Sequence, residues 1–387
     1  MRLVAKHPLG VPVHEEAGEK GGLRRVPDGT EAILKGEAAN GWLHVAFADG
    51  SEGFVTKRYL ASSSKGADGA VGQPDAAGSG ERERTCAAAR QVAATRSKSE
   101  ARIATFNVRW FPDGQPGKKA PAGGGTDLGF LACTIAATGA EVVLVQEFKR
   151  GARAEASLSE VLEDLGKLTH GKWEARFDDC PIETAQHVGV LFDRTRARPL
   201  GDAETKAELN PLGGACTGSL RPGLAQRFAL STGQNVEVVS VHLKSGDDAR
   251  SHALRATSLT KLAGMTETPG FARIFGGDLN TMGCSDCRVA VSATEERSQA
   301  ARAANAAHLR LVDPEGGCSH YYRGHAGLLD GFLVPPGLAA KVEMAGACAE
   351  LACAPDRSNA GSSNAAGSDA LDRVSDHCPL VLSAAAP

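Results

Sequence analysis

The chain has no long apolar run and no large excess of either charge. No stretch of its 387 residues reaches the roughly 18–20 consecutive apolar residues that a membrane-spanning helix needs. The opening residues, MRLVAKHPLG, lack the apolar run of a secretory signal peptide. The formal net charge is only −3, so no overall basic field marks a tight nucleic-acid binder. That balance still allows an enzyme that contacts a few phosphates.

Length and composition are those of a globular protein with more than one domain. Hydrophobic residues make up 42% of the chain and charged residues 23%, which is typical of folded domains that need no membrane. A chain of 387 residues is long for one domain and comfortable for two, so we expect a domain boundary.

Ten cysteines are present, an even number that includes the close pair Cys284/Cys287. This usage favours disulfides and an oxidising compartment. We therefore expect an extracytoplasmic or secreted protein, with a cytoplasmic location as the alternative because no signal peptide is visible. Free thiols, or a zinc site that adds Cys318 and His320 to the pair, are the other interpretations of the cysteines.

Residues 1–61 have the pattern of short strands separated by turns. The segment TEAILKGEAANGWLHVAFADGSEGFVTKRYL alternates apolar and polar residues and is broken by Asn-Gly and Asp-Gly turns. Through GWLHVAF, ADGSEG and FVTKRYL it resembles the bacterial SH3 family. The resemblance implies a small all-β SH3-like barrel with a cell-wall or other surface ligand. For Trp42, Phe47 and Tyr59, core packing is the simpler interpretation and a ligand groove the alternative.

The next part of the chain predicts a linker and then a second domain. Residues 62–80 are rich in Gly, Ser and Ala, and residues 81–99 predict a short helix or basic tether, so we assign 62–99 to a linker. From residue 100 to 387, short apolar runs typical of buried strands alternate with helical segments. The helical segments are 127–139, 154–168, 250–265 and 293–308. This mixture predicts two packed sheets with helices outside, an α/β fold.

Polar residues recur at the ends of these predicted strands. They are Asn107, Gln146, Glu147, His242, Asp278, Asn280, Asp330, Asp376 and His377. Side chains at strand ends can be held rigidly around one crevice. The oxygen ligands of Asn, Asp and Glu suit Mg²⁺ or Mn²⁺ better than zinc, and two histidines can supply a general base and a general acid. The set is typical of metal-assisted hydrolysis of a phosphate ester.

The ordered motifs resemble the endonuclease/exonuclease/phosphatase superfamily, which has the DNase I-like fold. The motifs are TFNVRWF, LVQEF, LRPGLAQRF, VHLKSG, GGDLNT, LDGFLV and VSDHCPL, spread over residues 101–384. Each is weak alone, whereas their order and spacing together are specific. The resemblance implies a four-layer α/β/β/α sandwich and a metal-dependent phosphodiesterase.

The resemblance also implies the residues that bind the cation and activate water. Asn107, Glu147 and Asp376 match metal ligands, with Mg²⁺ as the expected ion and Mn²⁺ or Ca²⁺ as alternatives. His377 matches the base that activates water, and Asp330 matches the residue that orients this base.

Further matches concern the phosphate and the leaving group. Asp278 and Asn280 match residues that hold the attacking water and the phosphate oxygens, and His242 matches the acid that protonates the leaving group. Arg221 and Lys149 match phosphate contacts. These roles are implied by the motif matches alone.

Two positions depart from the family pattern. A carboxylate normally orients the acid histidine, but the matching position here is Gln186 or His187, and a Gln cannot stabilise an imidazolium as well. Lys244, in HLKSG, either binds the substrate or lowers the pKa of His242.

The expected substrate is DNA. VHLKSG followed by a helix with Arg250 and Arg255 resembles bacterial secreted nucleases, and His242 stands where the repair exonucleases have Tyr. A sphingomyelinase-like, phospholipid or other small phosphoester hydrolase is the leading alternative, and a catalytically silent binding module is the other. We expect no membrane span and a monomer.

Overall fold

The computed structural model divides the chain into two compact units, Met1–Gln73 and Pro74–Pro387. It describes residues 11–14, 24–26, 30, 32–38, 42–47, 49–56, 76–95, 100–117, 125–214, 220–265, 268–322, 324–355 and 368–385. The division falls inside the region 62–99 that the sequence assigns to a linker. Tyr59 lies outside the described residues, as does most of the linker before residue 76.

The smaller unit contains two antiparallel ladders, which an antiparallel bridge between His14 and Phe54 joins. The first joins β1 (Val11–Val13) to β2 (Arg24–Val26), and the second is a sheet of β3 (Ala32–Ala38), β4 (Trp42–Phe47) and β5 (Glu52–Thr56). Their buried apolar residues form one core cluster that includes Phe47. No closed barrel is found among the described residues of this unit, so the SH3-like identification stays a prediction.

The larger unit is built on two sheets. The first has the strand order β19-β20-β6-β7-β9-β8. Its strands are β6 (Glu100–Phe111), β7 (Val142–Phe148), β8 (Trp173–Phe177), β9 (His187–Asp193), β19 (Ala340–Met344) and β20 (Leu380–Ala385).

The second sheet has the order β10-β12-β13-β14-β18-β15, with β11 beside β12. Its strands are β10 (Ala197–Pro199), β11 (Glu204–Lys206), β12 (Gly223–Leu230), β13 (Asn235–His242), β14 (Ala272–Asp278), β15 (Arg310–Val312) and β18 (Asp330–Val334). A separate hairpin pairs β16 (His320–Tyr322) with β17 (His325–Gly327).

Seven helices are described in the larger unit. They are α1 (Ala76–Thr95), α2 (Leu128–Ala137), α3 (Ala152–Thr169), α4 (Ala249–Ala263), α5 (Ala293–Ala306), α6 (Ala347–Leu351) and α7 (Asp369–Arg373). Helices α2 to α5 coincide with the four predicted helical segments. The prediction of a mixed α/β fold is confirmed.

Three apolar clusters show how the layers pack. One cluster lies between the sheets and joins residues such as Leu144 of the first sheet to Phe332 of the second. Another lies between the outer face of the first sheet and helices α2 and α3, where Phe130 and Val161 are buried. The third, which includes Leu262, lies between the second sheet and helices α4 and α5. Since each sheet is apolar on both faces, the strands have near-continuous hydrophobic sequences.

The paired glycines of IFGGDLN are required by packing just before the candidate site. A Cβ at Gly276 would lie 2.6 Å from Leu144 Cδ1 and 2.7 Å from Phe332 Cε1, both in the layer between the sheets. A Cβ at Gly277 would lie 1.9 Å from the Val241 carbonyl oxygen. The absence of a side chain at these two positions therefore lets β14 approach its neighbours closely, and this close approach sets the position of Asp278 at the end of the strand.

The prediction of disulfides is confirmed. Four of them are Cys86–Cys133, Cys284–Cys287, Cys318–Cys353 and Cys348–Cys378, and Cys180 is also disulfide-bonded. The alternative zinc site is therefore wrong, because the thiols it needs are oxidised. In the part of the chain that the structure describes, no helix is both long and apolar enough to cross a membrane.

Helix α1 belongs to the larger unit, although the sequence places it in the linker. Its Ala89 is fully buried in the core cluster beneath α2 and α3, and its Cys86 is bonded to Cys133 of α2. Its poor apolar pattern made it look like a tether, because small alanines carry the packing. The linker prediction is thus corrected for residues 76–95.

Glu81 of α1 caps a helix far away in the chain. Its buried carboxylate accepts hydrogen bonds from Ser368 Oγ at 2.6 Å and from the backbone N–H groups of Asp369 and Ala370 at 2.6 and 3.4 Å. The two backbone N–H groups are first-turn donors of α7, which have no partner within the helix itself. A carboxylate at this position also complements the positive end of the helix dipole.

We expect Glu81→Ala to lower the free energy of unfolding of the larger unit by about 1–3 kcal/mol, because it leaves buried donors unsatisfied. Urea unfolding of the full chain would measure the loss. The matched control is Glu83→Ala, an exposed glutamate of the same helix, which should change stability by no more than about 0.5 kcal/mol. Equal losses for the two variants would contradict the capping role.

Candidate active site

The polar strand ends meet at one edge of the two sheets. In the second sheet, His242 pairs with Asp278 at the ends of parallel β13 and β14, and Asp278 pairs with Asp330 at the start of antiparallel β18. In the first sheet, Asn107 pairs with the residue before Glu147 in parallel β6 and β7. The register of each sheet therefore delivers these side chains to the same end.

Asn107 connects the two sheets through their carboxylates. Its Nδ2 donates to Glu147 Oε1 at 3.2 Å and to Asp278 Oδ2 at 3.0 Å, and its Oδ1 accepts from the Arg109 backbone N–H at 3.0 Å. One amide group thus lies between two acids. Asp278 also accepts a hydrogen bond at its other oxygen, since the Asn280 backbone N–H donates to Asp278 Oδ1 at 2.9 Å.

His377 is held by Asp330 and Ser375. Its Nδ1 lies 2.8 Å from Asp330 Oδ2, and its Nε2 lies 3.8 Å from Asp278 Oδ2. Ser375 Oγ accepts from the His377 backbone N–H at 3.1 Å and donates to the Asn107 carbonyl at 2.7 Å. The imidazole is therefore fixed with its Nε2 edge toward Asp278.

Two pKa values in the site are raised, those of Asp278 and His377. Burial raises the pKa of Asp278 to about 7; the His377 charge and the Asn107 hydrogen bond oppose this rise, while the charges of Asp330 and Glu147 add to it. Burial alone would lower the pKa of His377, but Asp330, Asp278 and Asp376 raise it to about 10. The site therefore holds more negative charge than its own side chains balance.

His242 lies against the same carboxylates. Its Nε2 is 3.5 Å from Asp278 Oδ2 and 3.8 Å from Glu147 Oε1. Burial lowers its pKa well below the usual value, and the charges of Arg221, His377 and Lys244 lower it further. Its Nδ1 is buried without a hydrogen-bond partner among the described residues.

Neither expected residue orients His242. His187 is committed elsewhere, because its Nδ1 lies 2.9 Å from Asp178 Oδ1 and its Nε2 lies 3.0 Å from the Ile182 carbonyl. Gln186 is buried nearby in the chain, but the His242 Nδ1 has no partner in the described part of the structure. No hydrogen bond from either position therefore orients His242.

Strained backbone conformations coincide with this edge. Arg109, Trp110, Glu147 and Asn280 have φ values of 40°, 51°, 65° and 50°. Left-handed backbone is costly for residues with a side chain and is retained where surrounding contacts impose it. For Glu147 those contacts include the Trp110 N–H, which donates to Oε2 at 3.1 Å. The strain therefore supports a functional role for this edge.

Of the three expected phosphate contacts, Arg221 lies near Glu147 and Asp278, and Lys244 lies near Arg221 and His242. Burial lowers the pKa of Arg221 to about 10, while the charges of Glu147, Asp278 and Asp178 act to raise it. Arg221 is thus close enough to interact with both site carboxylates. Lys244 is half-buried, and its Nζ donates to the Ser245 carbonyl at 2.6 Å.

Lys149 does not join them. It is buried, and its Nζ binds Asp113 Oδ2 at 2.7 Å and the carbonyls of Gln115 and Gly117 at 2.5 and 2.9 Å. The three ammonium donors are thereby used within one loop, so we correct its expected phosphate contact to a structural one. Arg255, on the helix that follows VHLKSG, is likewise buried, and its guanidinium pairs with Glu296.

Asp376 is placed less directly than expected. The three acid and imidazole groups whose ligand atoms lie within 4.8 Å of one another are Asp278, Asp330 and His377. Asp376 influences the cluster through its charge, which raises the pKa of His377. Its backbone carbonyl accepts from the Tyr321 N–H at 2.8 Å.

His320 is a neighbour of the site that the sequence suggested only as a zinc ligand. Its ring lies 4.7 Å from the ring of His377, measured between centroids, because β16 forms a bridge with residue 377. Burial lowers the pKa of His320 to about 4, and the His377 charge adds to this effect. Only the spatial pairing of two segments reveals this contact, since HYYRGH carries no motif.

The donor set fits a hard divalent cation. The amide NH2 of Asn107 donates to both Glu147 and Asp278, and Asp330 Oδ1 is buried without a hydrogen-bond partner among the described residues. Carboxylate and amide oxygens are the ligands that Mg²⁺, Mn²⁺ and Ca²⁺ prefer. For Asn107 to contribute its oxygen, its amide would have to rotate from its present orientation.

Solved structures similar to this chain include endonuclease/exonuclease/phosphatase proteins and TDP2. The protein from Bacteroides vulgatus is 15% identical with a TM-score of 0.49, covering 74% of this chain and 99% of that one. The one from Beutenbergia cavernae is 17% identical with a TM-score of 0.48, covering 74% and 72%. TDP2 from D. rerio, complexed with single strand DNA product, is 16% identical with a TM-score of 0.45, covering 74% and 98%. No protein-family model and no curated protein matches the sequence.

The raised pKa of Asp278 makes a prediction about cation-free stability. Because the folded value of about 7 lies above the ordinary value of 3.8, the protonated carboxyl contributes stability below pH 3.8 that is lost as the pH rises through 7. Asparagine does not titrate. In EDTA, the stability of the wild type relative to Asp278→Asn should therefore fall between about pH 4 and pH 7.

Chemical denaturation at a series of pH values would measure this difference. Asp202→Asn, at an exposed position, provides the baseline for an Asp-to-Asn change. A wild-type-to-variant difference that is constant from pH 4 to 8 would mean that Asp278 carries no uncompensated charge.

Proposed function

We propose that the larger unit is a divalent-cation-dependent phosphodiesterase. The observation that carries the proposal is the convergence of Glu147, Asp278, Asp330, His242 and His377 at one sheet edge, within 2.8–3.8 Å of one another in pairs. A cluster of acids alone would suggest a cation-binding site without catalytic activity. Two imidazoles held at fixed distances from those acids add the capacity to move protons.

Our proposed mechanism assigns water activation to His377. Asp330 orients the imidazole through Nδ1, which leaves Nε2 directed into the site to accept a proton from water. Asp278 and Asn280 position that water and the phosphate oxygens. A cation held by Glu147 and Asn107, with Asp376 nearby, would stabilise negative charge on the phosphoryl group.

The opposite side of the site handles the phosphate and the leaving group. Arg221 is a planar donor that can bind two phosphate oxygens, and Lys244 contributes a second positive charge. His242 is the proposed acid. Its depressed pKa means that it binds a proton weakly in the free site, and an incoming phosphate would favour the protonated form because it brings negative charge.

DNA is the substrate we propose. The support is the His242-containing VHLKSG motif and an exposed Arg250 on the adjoining helix; the disulfides support an extracytoplasmic location. A cell-wall or surface ligand for the smaller unit, a monomeric state and the choice of Mg²⁺ over Mn²⁺ or Ca²⁺ belong to the same proposal.

We expect the wild type to nick plasmid DNA with Mg²⁺ or Mn²⁺ and to lose this activity in EDTA. His377→Asn should reduce the rate by about 10²–10⁴-fold, which is the usual contribution of a positioned acid–base group. His170→Asn is the control, because His170 is exposed and has a φ of 55° that asparagine tolerates. Gel analysis of nicked and linear plasmid would give the rates.

Two results would decide against DNA hydrolysis. If plasmid stays intact while sphingomyelin or a simple phosphate diester is cleaved in a His377-dependent manner, the substrate is another phosphodiester. If no diester is cleaved with any of the three cations, the larger unit is a binding module that retains the side chains without the activity.

A further inference from the structure

The hairpin β16–β17 extends a row of rings outward from His377. The ring centroids of His377 and His320 lie 4.7 Å apart with a tilt of 55°, and those of His320 and Tyr322 lie 6.4 Å apart and are nearly parallel at 13°. Both separations are in the range where aromatic rings interact. His320 is half-buried and Tyr322 is 61% exposed, so the row runs from the reacting centre to the surface.

The alternation of the strand explains this arrangement. Successive side chains of a strand point to opposite faces, so His320 and Tyr322 share one face and Tyr321 takes the other. Tyr321 is buried in the core, and its hydroxyl donates to the Ala354 carbonyl at 3.0 Å. The inward tyrosine therefore anchors the strand that presents the other two rings.

Backbone and covalent contacts hold the hairpin in place. Tyr321 N–H donates to the Asp376 carbonyl, and Cys378 N–H donates to the Ser319 carbonyl, both at 2.8 Å. The residue before Ser319 is bonded to Cys353 by a disulfide. Because the same segment carries His377, the exposed ring has a fixed distance from the reacting centre. A rigid aromatic group binds with little loss of side-chain entropy.

We propose that His320 and Tyr322 form a stacking platform for a nucleobase that flanks the cleaved phosphate. The proposal rests on the proposed phosphodiesterase function and narrows its substrate to nucleic acid with unstacked bases. A base has a planar face of the same kind as these rings, and such stacking tolerates any base. The platform favours single strands, because a base in a duplex must first leave its stack.

The chemistry of the row favours a base over a lipid. Attachment to a bilayer uses an amphipathic element with a broad apolar face. Here the outward face carries an imidazole and a phenol, in line with His377. Arg221 and Lys244, whose charges act on His242, supply the positive charge that a phosphate backbone needs.

The test combines a protein change with a substrate change. Cleavage of a single-stranded oligodeoxynucleotide would be compared with that of a strand of the same length whose sugars lack bases, for wild type, Tyr322→Ala and Tyr322→Phe. We expect Tyr322→Ala to raise KM for the base-containing strand by about 5–150-fold, the equivalent of 1–3 kcal/mol of stacking. The value of kcat should stay nearly unchanged, Tyr322→Phe should retain the low KM, and the abasic strand should respond to neither change.

Binding by the slow His377→Asn protein separates this inference from the proposed function. Fluorescence anisotropy with the same strands should give a Kd that rises in the same way when Tyr322→Ala is added. Cleavage or binding that is independent of Tyr322, or an equal loss on the abasic strand, overturns the platform and leaves the nuclease proposal standing. Base-dependent binding without cleavage would support the platform and contradict the nuclease proposal. Loss of binding to sphingomyelin vesicles alone would assign the platform to lipid and overturn the inference.

Discussion

Negative charge that the site cannot balance by itself is the constraint on which the larger unit depends. Glu147, Asp278 and Asp330 converge where two sheets meet, and Asp278 and Asp330 are buried. The protein responds by raising the pKa of Asp278 and by keeping a proton on His377, whose pKa rises to about 10. A bound cation would compete with that proton for the same charge, so cation affinity and the protonation of His377 form one linked equilibrium.

Because of this linkage, the acids and the base have to be held at fixed distances from one another. A base must be unprotonated to accept a proton, and His377 loses its proton more readily when the surrounding charge is neutralised. The coupling works only if the distance from His377 to Asp278 is kept. The structure keeps it through Ser375, which bonds both to the His377 backbone and to the Asn107 carbonyl. Local backbone geometry thus supports the electrostatics.

Much of this organisation could be predicted from the sequence, because strand ends are visible as polar residues after apolar runs. The helices α2 to α5 and the convergence of Glu147, Asp278 and His377 follow from such patterns. What the sequence could not give is the direction of a long side chain. Lys149 follows Glu147 closely in the chain, yet it turns to Asp113 and two carbonyls. A lysine can point to either side of its backbone, and motif matching sees only its position.

Contacts between distant segments are the other feature that could not be predicted from the sequence. They change the residue at which the functional unit begins. Composition puts the boundary near residue 100, where the linker-like sequence ends. Glu81 lies before that point and bonds to Ser368, 287 residues away. Ser368 occupies the N-cap position of α7, whose first-turn N–H groups bond to Glu81, and α7 leads directly to Ser375 and His377. A fragment that begins at residue 100 would contain every motif, yet it would lack the carboxylate that fixes the segment carrying the proposed base. The chemistry is therefore encoded in the motifs, whereas its geometry depends on a helix that no motif marks.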